Sequence, residues 1–154
     1  MDKYMNMAVG AALDNANGNT GGPFGAVVVK NGKIIGVGRN QVTSLNDPTA
    51  HAEIQAIREA CQFLQSFQLD DCEIYTSCEP CPMCLGAIFW ARPKAVYYAC
   101  TKEDAARAGF DDQFIYEQIE LPPDQRTIPM KQIPLKSAAL PFQAWTASNN
   151  KVEY

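Results

Sequence analysis

The chain has 154 residues, 47% hydrophobic and 19% charged, which suits one globular core and is too apolar for a disordered segment. Lys and Arg number 13 against 17 Asp and Glu, a net charge of −4, which argues against a broad basic face for nucleic acid. The opening MDKYMNMAVG lacks a basic stretch followed by a long apolar run, and no apolar run could span a bilayer. Secretion and membrane insertion are therefore not expected, and a cytoplasmic location is.

In chain order, Asp2 to about Asn17 is predicted to be a helix, with Tyr4, Ala8, Ala11 and Ala12 at helical spacing. Asn17 to Pro23 is rich in Gly and Asn and is predicted to be a loop. Phe24 to Lys30 and Lys33 to Val42 are β-rich runs on either side of Asn31-Gly32, a strong hairpin signal. The first run is almost continuously apolar, which predicts a strand covered on both faces. Asp47-Pro48 is predicted to open a helix, with Asp as N-cap and Pro at the first helical position. Ile54, Ile57, Cys61 and Leu64 would form its apolar stripe. A strand follows at Glu73 to Ser77, a helix from near Pro80 to Ala91, and a strand at Ala95 to Ala99. This alternation predicts parallel pairing and a helix-covered sheet. Beyond residue 101 come short helices, a Pro-punctuated stretch from Leu121 to Pro134, and a last helix near Ala138 to Ala147. One domain over 1–154 is expected.

Six Cys stand against one His. With no leader expected, an intracellular metal or thiol set is favoured over a disulfide framework. The single His lies in His51-Ala52-Glu53, at the start of one predicted helix. Pro80-Cys81-Pro82-Met83-Cys84 lies at the start of the next, and Cys81 and Cys84 share one helical face. Both starts sit at one end of the predicted sheet, where open α/β sheets place their sites. Helix N-termini favour thiolate, the form that binds metal. One His and two Cys suit one Zn²⁺ per site, with the fourth position open to water and Glu53 left as the proton-transfer group. H-x-E followed by P-C-x-x-C is the pattern of zinc nucleobase deaminases. A closed structural site of His51, Cys78, Cys81 and Cys84, without catalytic water, is the competing reading, and it leaves Glu53 without a role. A thioredoxin-like role for Cys81 and Cys84 leaves His51 and Glu53 unexplained. Gly36-Val37-Gly38 lacks the third Gly of a dinucleotide fingerprint. Cys61, Cys72, Cys78 and Cys100 are expected to be free thiols.

These residues resemble those of the cytidine deaminase-like superfamily, and within it the bacterial guanine deaminases. The resemblance extends through GGPFGAVVVK, NDPTAHAEIQAIREAC, LDDCEIYTSCEPCPMCLGAIFWARPKAV, AGFDDQFIYEQI, RTIP, PFQAW and the terminal KVEY. It implies a three-layer α/β/α fold with a mixed five-stranded sheet and helices on both faces. It implies zinc on His51, Cys81 and Cys84, Glu53 as proton shuttle, and conversion of guanine to xanthine and ammonia. Phe24 would pack on the base, Asn40 and the Ala52 amide would hydrogen-bond it, Asp112 would accept from its edge, and Tyr154 would help close the pocket. It also implies a homodimer in which a C-terminal segment, about 137–154, can be exchanged between subunits. A carboxylate such as Asp112 complements guanine, whose N1–H and 2-amino group are adjacent donors. The alternatives are the same chemistry on tRNA adenosine, cytosine or an aminated triazine, or a non-enzymatic zinc-stabilised interaction module.

Overall fold

The hairpin expected at Asn31-Gly32 is present: β1 (Gly25–Lys30) and β2 (Lys33–Arg39) pair antiparallel from Lys30↔Lys33 outward. Asn31 and Gly32 have φ of 50° and 76°, as a two-residue type I′ turn requires. The computed structural model describes all residues, 1–154. β3 (Cys72–Cys78) pairs antiparallel with β1, and β4 (Ala95–Cys100) pairs parallel with β3, so the sheet order is β2-β1-β3-β4.

The sheet therefore has four strands rather than the expected five. After Cys100 the chain enters α5 (Lys102–Arg107), stopped from extending by a capping box between Thr101 and Asp104. Further on, Pro122, Pro123, Pro129 and Pro134 interrupt the apolar stretch, and proline cannot donate to a ladder.

Helices cover both faces of this sheet, and the alternation of strand side chains decides which residue meets which helix. Val27, Val29 and Tyr75 pack with Ala8 and Tyr4 of α1 (Asp2–Asn17) on one face. Ala26, Val28 and Ile74 pack on the other face with α3 (Ala52–Leu64) and α4 (Pro82–Ala91). The strand expected to be covered on both sides is buried from Gly25 to Val29.

The helix expected to open at Asp47-Pro48 instead begins at Ala52, with His51 as N-cap. Asp47 Oδ1 accepts from the backbone N and the hydroxyl of Thr49, at 2.8 and 2.7 Å. This local turn competes with helix at an Asp. The run expected to remain strand through Val42 ends at Arg39, and Val42–Leu45 forms a one-turn helix, α2.

The deepest face of α3 is also not the predicted stripe. Ala52, Glu53, Ala56 and Ala60 are buried, whereas Ile57, Cys61 and Leu64 flank the core and are only partly buried. Gly36 and Gly38 of β2 explain the shift. A Cβ on Gly38 would lie 1.9 Å from Ala52 O, and one on Gly36 would lie 2.5 Å from Ala56 O. The two glycines let helix backbone rest directly on strand backbone, and only alanines fit between.

By internal contacts the chain divides into two compact units, 1–112 and 113–154. The second unit contains α6 (Gln113–Glu120), a 3₁₀ turn at Pro123–Gln125 and α7 (Leu140–Ala147). Within it, Arg126 Nε donates to Gln118 O at 2.9 Å and Thr127 N donates to Gln118 Oε1 at 2.8 Å. No helix is long and apolar enough to cross a membrane.

Candidate active site

Two helix starts supply the candidate metal donors. His51 is the N-cap of α3 and Cys81 the N-cap of α4, and Cys84 lies one turn into α4. Pro82 occupies the first helical position, where its fixed φ favours helix and its missing N–H costs nothing. His51 Nδ1 lies 3.5 Å from each of Cys81 Sγ and Cys84 Sγ, and the three donor atoms lie within 4.8 Å of one another. Bond lengths to zinc of about 2.3 Å for sulfur and about 2.0 Å for nitrogen put tetrahedral S···N edges near 3.5 Å, so the donor set fits this ion. Cys84 is fully buried, and His51 and Cys81 are half-buried.

The two thiols oppose each other electrostatically. A hydrogen bond from Cys84, helped by His51, holds the Cys81 thiol at about 4. The neighbouring Cys81 thiolate and burial push Cys84 upward. His51 is raised, first by its contact with Cys81. Two converging sulfurs holding one proton between them are a site that a divalent cation would relieve by displacing that proton.

Glu53 is 5% exposed, and burial raises its carboxyl above the usual range. Its Oε2 receives Cys84 Sγ at 3.4 Å and its Oε1 receives the Thr76 hydroxyl at 3.3 Å. It stands beside the donors and outside their set. Cys78, the fourth ligand of the competing closed site, instead directs its Sγ to Thr101 O at 3.4 Å. Burial raises its thiol to about 11, and it lies outside the convergent donor group. None of the six cysteines forms a disulfide.

The expected base-contacting residues fall in two sets. Phe24 packs at the margin of the core beneath α3, with its ring edge-on to Phe110 at 5.0 Å. Asn40 is buried, and its Oδ1 accepts from Gly22 N at 3.3 Å and Val42 N at 3.2 Å. Those amides fix its orientation and leave Nδ2 as the group it can offer a ligand. Ala52 is fully buried at the first position of α3, where its N–H has no acceptor within the helix. Asp112 is partly buried, and burial, with the Cys81 thiolate, raises its carboxyl. Tyr154 belongs to the second unit and is 70% exposed.

Two residues had no signal in the motif reading. Thr76 bonds Glu53, and Glu79 Oε2 accepts from Lys102 N at 3.0 Å, tying the Cys81 loop to the start of α5. A threonine in a strand looks like any β-branched residue, and a glutamate before a proline like any loop residue. Only their partners in the fold distinguish them.

Comparison with known proteins agrees with this geometry. Residues 1–100 match the model of the cytidine and deoxycytidylate deaminase zinc-binding region. Guanine deaminase from Bacillus subtilis (strain 168) is 59% identical over 153 residues, which is 99% of this chain and 98% of that protein. Its X-ray structure superposes with a TM-score of 0.97 over 99% of this chain and 98% of that one. A structure of guanine deaminase from Nitrosomonas europaea is 33% identical, with a TM-score of 0.67 over 71% of this chain and 63% of that one. The tRNA-specific adenosine deaminase of Aquifex aeolicus is 47% identical, but over only 50% of this chain and 51% of its own. The motif pair, the donor geometry and the family match agree: this chain belongs to the cytidine and deoxycytidylate deaminase zinc-binding family.

Proposed function

We propose that this chain hydrolyses guanine to xanthine and ammonia in a zinc-dependent reaction. The observation that carries the chemistry is the convergence of His51 Nδ1, Cys81 Sγ and Cys84 Sγ beside the buried carboxyl of Glu53. The substrate rests on similarity that runs through the second unit. The Bacillus subtilis guanine deaminase aligns over 99% of the chain, whereas the Aquifex aeolicus adenosine deaminase aligns over half.

His51, Cys81 and Cys84 would hold the zinc, which would lower the pKa of a bound water from about 15.7 to roughly 7. Two thiolates and a neutral imidazole balance the charge of the dication. Glu53 takes one proton of the attacking water and delivers it to a ring nitrogen, then takes the second from the hydroxyl left on the ring carbon and delivers it to the amine, which departs as ammonia. Its burial suits this work, because a raised carboxyl pKa brings uptake and release closer to balance at neutral pH. With the only His committed to the metal, one carboxylate carries every transfer.

Phe24 packs on the base. Asn40 Nδ2 donates to it, and the Ala52 amide adds a fixed donor at the α3 start. Asp112 accepts from N1–H and the 2-amino group, an edge that adenine and cytosine do not present.

The 154 residues act as one deaminase-type domain in a cytoplasmic homodimer. The segment 137–154 is exchanged between subunits, so that Tyr154 closes the partner's pocket. The exposed apolar side chains of residues 113–154, Ile133 and Phe142 among them, favour burial against a second copy. Ammonia release from guanine, adenine, cytosine and a tRNA hairpin tests the substrate: activity on guanine alone is expected, and activity on the hairpin with none on guanine would overturn it.

A further inference from the structure

The mechanism leaves one buried polar group at the site without a task. Thr76 sits on the central strand β3, opposite Ala26 of β1, on the face covered by α3. It is 1% exposed. Its Oγ1 lies 2.9 Å from Cys78 O and 3.3 Å from Glu53 Oε1. One hydroxyl thus touches the shuttle carboxyl and the backbone of the strand end that leads, through Glu79 and Pro80, to Cys81.

A glutamate has three side-chain torsions, and a carboxyl free to rotate would spend much of its time in geometries unable to transfer a proton. Glu53 is 5% exposed, but burial by itself does not specify which oxygen faces the metal donors. The hydrogen bonds do select. Oε1 is engaged by Thr76 on the sheet side, and Oε2 is turned to the Cys84 sulfur. We infer that Thr76 is a positioning residue for this reaction: its hydroxyl, set between Cys78 O and Glu53 Oε1, holds Glu53 by Oε1 so that Oε2 stays directed at the metal donors. The inference rests on the proton-shuttle role proposed for Glu53.

The choice of a hydroxyl has a chemical reason. Its one proton goes to Oε1 while the carboxyl is ionised and turns to Cys78 O when the protonated carboxyl donates to it, so the contact with Oε1 survives as the carboxyl takes up and releases a proton. A valine in the same place would keep the branched shape and strand preference and lose only the bond. Proton transfer by a positioned group is worth about 10²- to 10⁴-fold in rate, so partial loss of position is expected to cost part of that range.

The test compares Thr76→Val, Thr76→Ser, Glu53→Gln and the Thr76→Val/Glu53→Gln double variant, with guanine as substrate and zinc content and Tm measured on each. Thr76→Val is expected to lower kcat by about 10- to 100-fold, with KM within about twofold and one zinc retained. Thr76→Ser, which restores the hydroxyl, is expected to recover most of kcat. The double variant is expected to be no slower than Glu53→Gln, since a residue that acts only through another adds nothing once that other is gone. A Thr76→Val protein with unchanged kcat per bound zinc, a Thr76→Ser protein as slow as Thr76→Val, or multiplicative losses in the double variant would each overturn the inference. A slow Glu53→Gln beside a fast Thr76→Val overturns the role of Thr76 alone. A fast Glu53→Gln overturns the shuttle, and this inference with it.

Discussion

Residues 1–112 and 113–154 differ in what they bury. Every buried residue of the chain, from Ala8 to Ala91, lies in the first unit, and the candidate metal donors and Glu53 are among or beside them. In the second unit no residue is buried, yet Ile128, Ile133, Leu140 and Phe142 are between 57% and 80% exposed. Apolar surface of that kind calls for a partner. The difference teaches that the candidate metal site rests on the unit that holds the buried core, whereas the second unit leaves its apolar side chains exposed. Changes in the first unit should therefore alter chemistry or stability, and changes in the second should alter substrate handling alone.

The largest expected effect lies in the first unit. Glu53→Ala should lower kcat by roughly 10²- to 10⁴-fold while zinc content stays at one per chain, because the carboxylate is not a donor. Steady-state assay with metal analysis decides this, and near-normal turnover would remove Glu53 from the shuttle role. Gly38→Ala comes next. Its Cβ would meet Ala52 O at 1.9 Å, so α3 must lift from the sheet. A cost of about 3 kcal/mol or more is expected, visible as a drop in Tm together with weaker zinc binding, since His51 heads that helix.

Chelation separates the two sulfurs more gently. Cys81, held at about 4, should be a thiolate at neutral pH once the metal is gone, whereas Cys84 is pushed the other way. Iodoacetamide should therefore label Cys81 first in the chelated protein and neither in the zinc-loaded one, as read by peptide mass mapping. The second unit is probed by deleting Tyr154. Zinc content and Tm should hold while kcat/KM for guanine falls about tenfold, or about 1.4 kcal/mol of transition-state binding. An unchanged kcat/KM would take Tyr154 out of the pocket, and lost zinc would break the division between the units. The smallest change is Gly10→Ala, mid-helix in α1 with nothing within 4 Å of the new Cβ. It should raise stability by about 1 kcal/mol or less, leaving kinetics untouched.

Much of this was legible in the residue order. Asn31-Gly32 announced the hairpin because few other pairs accept two positive φ values in succession. His51-Ala52-Glu53 and Pro80 to Cys84 announced the site because metal donors need spacing that local helix geometry sets. Asp47-Pro48 misled, since an Asp that caps a helix and an Asp that closes a turn on Thr49 read alike until the chain beyond is placed. The fifth strand was implied by the resemblance alone: no fifth β-rich run follows Cys100, and the prolines after Leu121 would give a ladder too few donors.

Local chemistry thus determined most of the elements and marked the candidate donors and carboxylate, through the two short motifs that carry them. Only the tertiary structure decided that α3 lies backbone-to-backbone on Gly36 and Gly38, that Cys78 turns to Thr101 rather than to the metal donors, and that Thr76 grips Glu53. Each of these joins residues 14 to 23 positions apart, and such pairings are chosen by packing and by the need to satisfy buried polar atoms, which no local pattern encodes.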